Sequence, residues 1–373
     1  MNNIIPFVDL KQQYKLHQEV FEEAMREVCL ASSYILGSEL ERFECRFADY
    51  IGVKESVGVA SGTDSIRLAC QVLGIGHKDE VLMPANTFIA SALAVSDLGA
   101  TVVPVDVDPE TFLVDIDDAE RKVTSRTKAI IPVHLYGQSV DMDAVAAFAA
   151  DHNLIIIEDA CQSHGAMWNG RHTGSFGAIG CFSFYPAKNL GAFGDGGLIT
   201  TNDQCIAEKL KLLRNYGSVK KYIHEVPGTN SRLDSIQAAI LNIKVDFLDD
   251  WNRKRFRAAL RYADGLRNIG SIKVPVFDWN DSMRHVFHLF VIQCERREEL
   301  MAYLNDRGVQ CDVHYPVPVH LHRASKLLRL RVGSLPVAEM LSDRILSLPM
   351  FPEITDEQID TVVSTIKRFY DKQ

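Results

Sequence analysis

From Ser56 onward the chain alternates short, almost unbroken apolar runs with longer stretches of helical period. The strand candidates are SVGVA, EVLMP, TVVPVDV, KAIIPVHL, LIIIED, GCFSF and GLIT, with helical patterns such as DSIRLACQVLG and DMDAVAAFAADHN between them. Apolar strands separated by helices predict a mostly parallel sheet covered on both faces. Ahead of this region, residues from about Leu10 to Leu30 predict one amphipathic helix, followed by a turn at Gly37. After Asn230 comes SRLDSIQAAILNIKVDFLDDWNRKRFRAALRYADGL, long, charged and helical in period, in the manner of a connector. Beyond about Ile269 the strand candidate HVFHLFVIQC and the helical patterns REELMAYLNDRG and DEQIDTVVSTIKRFY predict a smaller α+β domain.

The length of 373 residues agrees with two domains, divided here as 1–250 and 251–373. A net charge of −9 argues against a general nucleic-acid or anionic-membrane surface, so an anionic ligand requires a local site. None of the eight cysteines forms a CxxC pair, which leaves zinc-knuckle and redox motifs without support. The N-terminal MNNIIPFVDLKQQYK does not read as a secretory leader, and no apolar stretch reaches membrane-spanning length. The expected location is the cytoplasm.

Ligands of open α/β sheets collect at the carboxyl ends of the strands, and four strand ends carry candidate chemistry. In SVGVASGTDSIRLA a strand runs into Ser61, Gly62 and Thr63 at the start of a helix. Free backbone N–H groups and the helix dipole there suit a phosphate, although an ordinary N-cap explains the same residues. LIIIEDACQSHGA ends an apolar strand at Glu158 and Asp159. A carboxylate at the edge of a dry core needs a cation or strong donors, and a protonated pyridine nitrogen is one such cation. A metal with His164 as co-ligand is the alternative, but Asp159, Gln162 and His164 lack a further convincing ligand.

In GCFSFYPAKNLGAFGDGGLIT, Lys188 stands between a short strand and a glycine-rich loop, with Ser183 offering a hydroxyl. A Schiff-base lysine must be desolvated and close to a carbonyl. The loop lacks the GKS/T ending of a P-loop. In MPANTFIASALA, Phe88 opens a helix, where it either lies on a planar ring or simply joins the core.

The series SGTDS, PANTF, PVHLYGQ, EDACQSHGA, FSFYPAKNLGAFGDGG, LRNYGS, NSRLDSIQAAIL and VHYPVP resembles the DegT/DnrJ/EryC1/StrS family of sugar aminotransferases almost end to end. The resemblance implies an α/β fold of the aspartate-aminotransferase type (fold type I). Its large domain would hold a seven-stranded, mostly parallel sheet and its small C-terminal domain would be α+β. It implies pyridoxal 5'-phosphate as cofactor, alternating with pyridoxamine 5'-phosphate, and a homodimer with active sites shared between subunits.

By matching position, Lys188 would form the internal aldimine and shuttle the proton. Asp159 would pair with the pyridine nitrogen, Gln162 would contact the ring or its oxygen, and Phe88 would stack on the opposite face. Gly62, Thr63 and Ser183 would hold the phosphate, with Asn230 reaching in from the partner subunit. Tyr185, Tyr216, Lys220, Lys221, His288, His314 and Tyr315 lie in segments that shape the sugar-nucleotide pocket in relatives. A surface position for Lys220 and Lys221, and a core position for His288, explain those residues equally well.

Three positions depart from the family pattern. Lys78 precedes Asp79-Glu80-Val81 where relatives have glycine, Asp195 replaces a frequent Glu, and Cys161 replaces the usual alanine.

The expected reaction is transamination from L-glutamate to a nucleotide-linked keto-deoxysugar. FVDLKQQY and GAFGDGG look most like members acting at C3 of a dTDP-3-keto-6-deoxyhexose or on a UDP-3-keto uronic-acid sugar, and 4-keto sugars are the alternative. A 3-dehydratase of the same fold is disfavoured because such relatives carry histidine in place of the lysine. A non-catalytic sensor that binds the cofactor is the reading from a different class. A nicotinamide dehydrogenase lacks the required GxGxxG after the first strand.

Overall fold

The structure is a computed structural model that describes residues 4–324 and 330–371. Each of the seven apolar runs contains one strand of a single sheet. They are β1 (Glu55–Val59), β2 (Glu80–Pro84), β3 (Thr101–Val105), β4 (Thr127–Ile130), β5 (Ile155–Asp159), β6 (Ile179–Ser183) and β7 (Gly197–Thr201). Their spatial order is β1-β7-β6-β5-β4-β2-β3. Only β7 runs against its neighbours, pairing antiparallel with β1 and β6, while β6-β5-β4-β2-β3 pair in parallel. The carboxyl ends of β1, β2, β5 and β6 therefore open toward the same edge. This is the fold-type-I large domain that the family resemblance implies, on the mostly parallel sheet that the apolar runs predict.

The predicted helix over Leu10–Leu30 is two helices, α1 (Leu10–Leu16) and α2 (Gln18–Ala31). His17 breaks them with φ −128° and ψ 21°, and its ring packs 4.3 Å from that of Phe247. Periodicity continues through His17, but a tertiary contact decides its backbone. After α3 (Ser38–Ile51), α4 (Gly62–Val72) follows β1 and α5 (Ile89–Ser96) follows β2. The helices α6 (Ile116–Glu120), α7 (Met142–Asp151) and α8 (Gln204–Leu213) complete the covering layers. The long connector is likewise divided, into α9 (Ser235–Lys244), a 3-10 turn at Val245–Phe247, and α10 (Leu248–Leu266).

The small domain has an antiparallel sheet of β8 (Ile272–Lys273), β9 (Phe290–Cys294) and β10 (Ile345–Leu348). It also contains α11 (Arg297–Asn305), α12 (Pro336–Arg344) and α13 (Asp356–Asp371). Its core joins Tyr262, Phe290, Leu300, Ile359 and Ile366, and it takes in Ile5 from the N-terminal segment. HVFHLFVIQC is a strand only from Phe290; the preceding residues cross to the large domain, where Val286 N–H donates to the Gly137 carbonyl and Leu289 N–H to that of Tyr136.

One carboxylate ties the two units at the end of β3. Asp106 accepts from the first-turn N–H groups of Val337 (3.0 Å) and Ala338 (2.8 Å), capping α12 from the other domain. Asp106→Ala leaves those donors buried without a partner, at a cost of about 1–2 kcal/mol. Urea denaturation should show a lower midpoint for Asp106→Ala than for Asp106→Asn; equal midpoints would refute the role.

Candidate active site

A cavity of about 470 Å³ opens at the carboxyl edge of the large sheet, against the small domain. It is lined by Gly62, Thr63, Phe88, Asp159, Gln162, Ser183, Tyr185, Lys188, His288, His314 and Tyr315, eleven of the residues singled out in the sequence. Its size falls in the range of roughly 300–1,000 Å³ usual for small-ligand sites.

The two carboxylates at the end of β5 separate because successive strand side chains face opposite sides. Asp159 faces the cavity. Its Oδ2 accepts from the Ser91 hydroxyl at 2.8 Å and its Oδ1 from the Cys161 N–H at 3.2 Å. Glu158 faces away and is fully buried. It accepts from the N–H groups of Gly174, Phe176 and Gly177 at 2.7, 2.7 and 2.8 Å. His134 completes the set at 3.1 Å. The Nδ1 of His134 accepts from Val140 N–H, so Nε2 carries the proton and donates to Glu158. Glu158 therefore organises the loop before β6, and Asp159 alone remains for a ligand.

Lys188 sits on a loop that leaves β6 and closes where Ala192 N–H donates to the Phe184 carbonyl. The side chain is partly open to the cavity but enclosed by protein, and burial lowers its pKa from the usual lysine value. Cys161 and Asp159 oppose that shift. Asn189 anchors the loop, its Nδ2 donating to Asn252 Oδ1 (2.8 Å) and to the Val286 carbonyl (2.9 Å).

Opposite Lys188, Ser61 caps α4 by accepting from Asp64 N–H at 3.2 Å, which leaves the first-turn N–H groups of Gly62 and Thr63 outside the helix ladder. A Cβ on Gly62 would lie 2.6 Å from the Ser183 Cβ and 2.9 Å from the Cys161 sulfur, so only glycine brings α4 this close to β6. Both readings of this segment thus coexist: a capped helix and a set of free donors suited to an anion.

Phe88 stands at the N-cap of α5, half exposed, with its ring 5.4 Å from Tyr315. Gln162 accepts from Tyr136 N–H at 2.7 Å and donates to the Tyr315 hydroxyl at 3.0 Å. Burial lowers the pKa of His288 far below the usual histidine value, with Lys188 adding to the effect. Burial likewise lowers that of His314. Both imidazoles are neutral bases or donors at neutral pH.

The remaining candidates lie elsewhere in the subunit. Tyr216, Lys220 and Lys221 line an open groove with Tyr222, His224 and Arg232. Asn230 is exposed and bridges Asn215, next to Ser231, whose hydroxyl donates to Asp64. His164 is fully buried against the rings of Phe182 and Phe184. Sequence reading missed Ser91, which holds Asp159, and Phe7 and Val8, which line the cavity. Ser91 sits one helical turn beyond Phe88, and that spacing was the available signal.

A desolvated amine and a carboxylate thus meet in one cavity beside free helix-terminal donors, the constellation of an enzyme of amine–carbonyl chemistry in the aspartate-aminotransferase fold. Residues 15–367 match the DegT/DnrJ/EryC1/StrS aminotransferase family. The chain is 46% identical over 366 residues to the erythromycin biosynthesis sensory transduction protein EryC1 of Saccharopolyspora erythraea, covering 97% of this chain and 99% of that one. It is 45% identical over 368 residues to the dTDP-3-amino-3,4,6-trideoxy-alpha-D-glucose transaminase of Streptomyces venezuelae, covering 99% and 97%. The crystal structure of S. venezuelae DesV in complex with a ketimine intermediate superposes with a TM-score of 0.96 at 45% identity, covering 99% of both chains. The chain belongs to the DegT/DnrJ/EryC1/StrS aminotransferase family.

Because the Lys188 pKa is lowered, its neutral amine emerges at lower pH than that of an ordinary lysine. In protein stripped of carbonyl ligand, acylation of Lys188 followed by peptide mass spectrometry should reach half its maximal rate below the usual lysine pKa of about 10.4. Asp159→Asn removes a charge that favours the ammonium and should move that midpoint lower still. An upward move would overturn the electrostatic account.

Proposed function

We propose that the protein uses pyridoxal 5'-phosphate to transfer an amino group from L-glutamate to C3 of a nucleotide-linked 3-keto-deoxysugar, a dTDP-3-keto-6-deoxyhexose by preference. The observation that carries this reading is the convergence of Lys188 and Asp159 on one cavity beside the N–H groups of Gly62 and Thr63. The 45% identity to a dTDP-3-amino-sugar transaminase supports the substrate class and the C3 position. The 4-keto sugars and UDP-3-keto uronic-acid sugars are the alternatives within the family.

The lining fits the cofactor: a carboxylate for the ring nitrogen, an amine for the aldehyde, and backbone donors with the Ser183 hydroxyl for the phosphate. Bound there, pyridoxal phosphate supplies an electron sink for the carbon that loses its proton. Asp159, held by Ser91, would keep the ring nitrogen protonated. Lys188 would hold the cofactor at its aldehyde and, as a base with a lowered pKa, would carry the proton at the substrate carbon. Phe88 and Gln162, both in the cavity lining, would contact the ring. Tyr185, His288, His314 and Tyr315 face the substrate from the small-domain side and the cavity mouth.

Asn230, Tyr216 and Lys220 lie outside the cavity of their own subunit, and the reading assigns them to the site of a second copy in a homodimer. The exposed aromatic and cationic character of the 216–224 hairpin supports that assignment. The eight unpaired cysteines support a reducing compartment, the cytoplasm. No helix of the described residues is long and apolar enough to cross a membrane.

A cofactor-binding sensor is the second reading, favoured by the name of the 46% identical EryC1 protein. Glutamate decides between them: an enzyme loses its visible cofactor absorbance on adding glutamate, and a sensor keeps it. With glutamate and each keto sugar supplied in turn, the 3-amino product should form, and formation of the 4-amino isomer alone would refute the C3 assignment. Lys188→Ala should abolish turnover, and Asp159→Asn should lower it on the order of a hundredfold or more. Mixing inactive Lys188→Ala with a weakened Asn230→Ala chain should restore activity through hybrid dimers carrying one intact site. No recovery after verified subunit exchange would exclude the shared site.

A further inference from the structure

Lys244, the last residue of α9, is a lysine only 1% exposed. Among the described residues no carboxylate comes within ion-pair distance of it. Its Nζ donates to the Gly191 carbonyl at 2.7 Å and to Gln13 Oε1 at 3.0 Å. Aromatic rings flank the amine, Phe193 at 4.7 Å and Phe21 at 5.6 Å from their centroids. Burial pushes its pKa down to about 7, against an opposing pull from Glu353. A lysine buried at such a desolvation cost is weak evidence of stability, since an apolar side chain of similar volume often serves a core better.

What Lys244 holds is the end of the loop that presents Lys188. A Cβ on Gly191 would lie 2.2 Å from the Pro186 carbonyl oxygen, so the chain doubles back on itself immediately around Lys188. Seven residues before Lys244, and so on the same face of α9, Gln237 accepts from Phe193 N–H at 2.8 Å. The far side of the loop is tied to α10 through Asn189 and Asn252. The loop is therefore gripped on both sides of its turn, and the grip on the α9 side is made by one lysine amine and one amide.

We infer that Lys244 is a positioning residue for Lys188, acting through the Gly191 carbonyl to fix the loop from which the reactive amine projects. The Gln13 contact makes the N-terminal helix α1 part of the same device. This inference rests on the aminotransferase reading only for its effect on turnover; the effect on the loop stands independently.

The test compares the full-length holoenzyme with Lys244→Met, Lys244→Arg and Gln13→Ala. In Lys244→Met, hydrogen exchange of the amides from Lys188 to Phe193 should accelerate about tenfold while the β5 and β6 amides keep their protection. Turnover per bound cofactor should fall between about tenfold and a hundredfold, with the melting temperature preserved or raised. Lys244→Arg, which keeps a donor for Gly191, should regain both properties in part. Gln13→Ala should shift loop exchange the same way by less, and it decides the matter if the Met variant does not fold. Unchanged loop exchange in Lys244→Met, or a rise spread evenly over the core with a matching fall in melting temperature, overturns the inference. If no keto sugar is ever aminated, the exchange data still decide the role of Lys244, and the failure falls on the proposed reaction alone.

Discussion

A lysine amine reacts with a carbonyl only when it has lost its proton, and the site is arranged around that requirement. Burial lowers the pKa of Lys188, while Asp159 and Cys161 pull it back. The outcome depends on keeping the carboxylate inside the cavity yet committed to other donors. Ser91 and the Cys161 amide take up that commitment. The sheet order makes the arrangement available, because β5 and β6 are parallel neighbours with Asp159 opposite Cys181. Asp159 thus stands at the end of β5, and the loop that carries Lys188 leaves the end of the adjacent β6.

The small domain closes the other side of the same space. His288, Leu289, His314 and Tyr315 reach the cavity from it, while Asp106 and the Val286–Leu289 segment stitch it to the large domain. The cavity residues of the large domain come mainly from strand ends and helix starts. Those facing outward come from loops, where sequence changes leave the sheet undisturbed.

All seven strands of the large sheet were legible as apolar runs, because a strand buried on both faces has little room for polar residues. The cavity-facing residues Asp159, Gly62 and Ser183 were legible because each ends a strand or opens a helix, and Lys188 because it stands between a short strand and a glycine-rich loop. The breaks at His17 and at Val245–Phe247 were not, since both depend on packing between distant segments rather than on local period. Ser91 escaped for a similar reason: its partner lies 68 residues away. Tyr216 and Lys220 stand apart from the cavity in the single subunit, a separation that no spacing in the sequence encodes.

The back-to-back placement of Glu158 and Asp159 constrains how this chain can change. One side chain stitches together the loop that leads into β6, and its immediate neighbour faces the cavity. Inserting or deleting one residue within β5 would swap their sides, disarming the pocket and unravelling the loop at once. Length variation among descendants of this sequence should therefore gather at the Asn153 turn ahead of β5, where an added residue leaves the alternation intact.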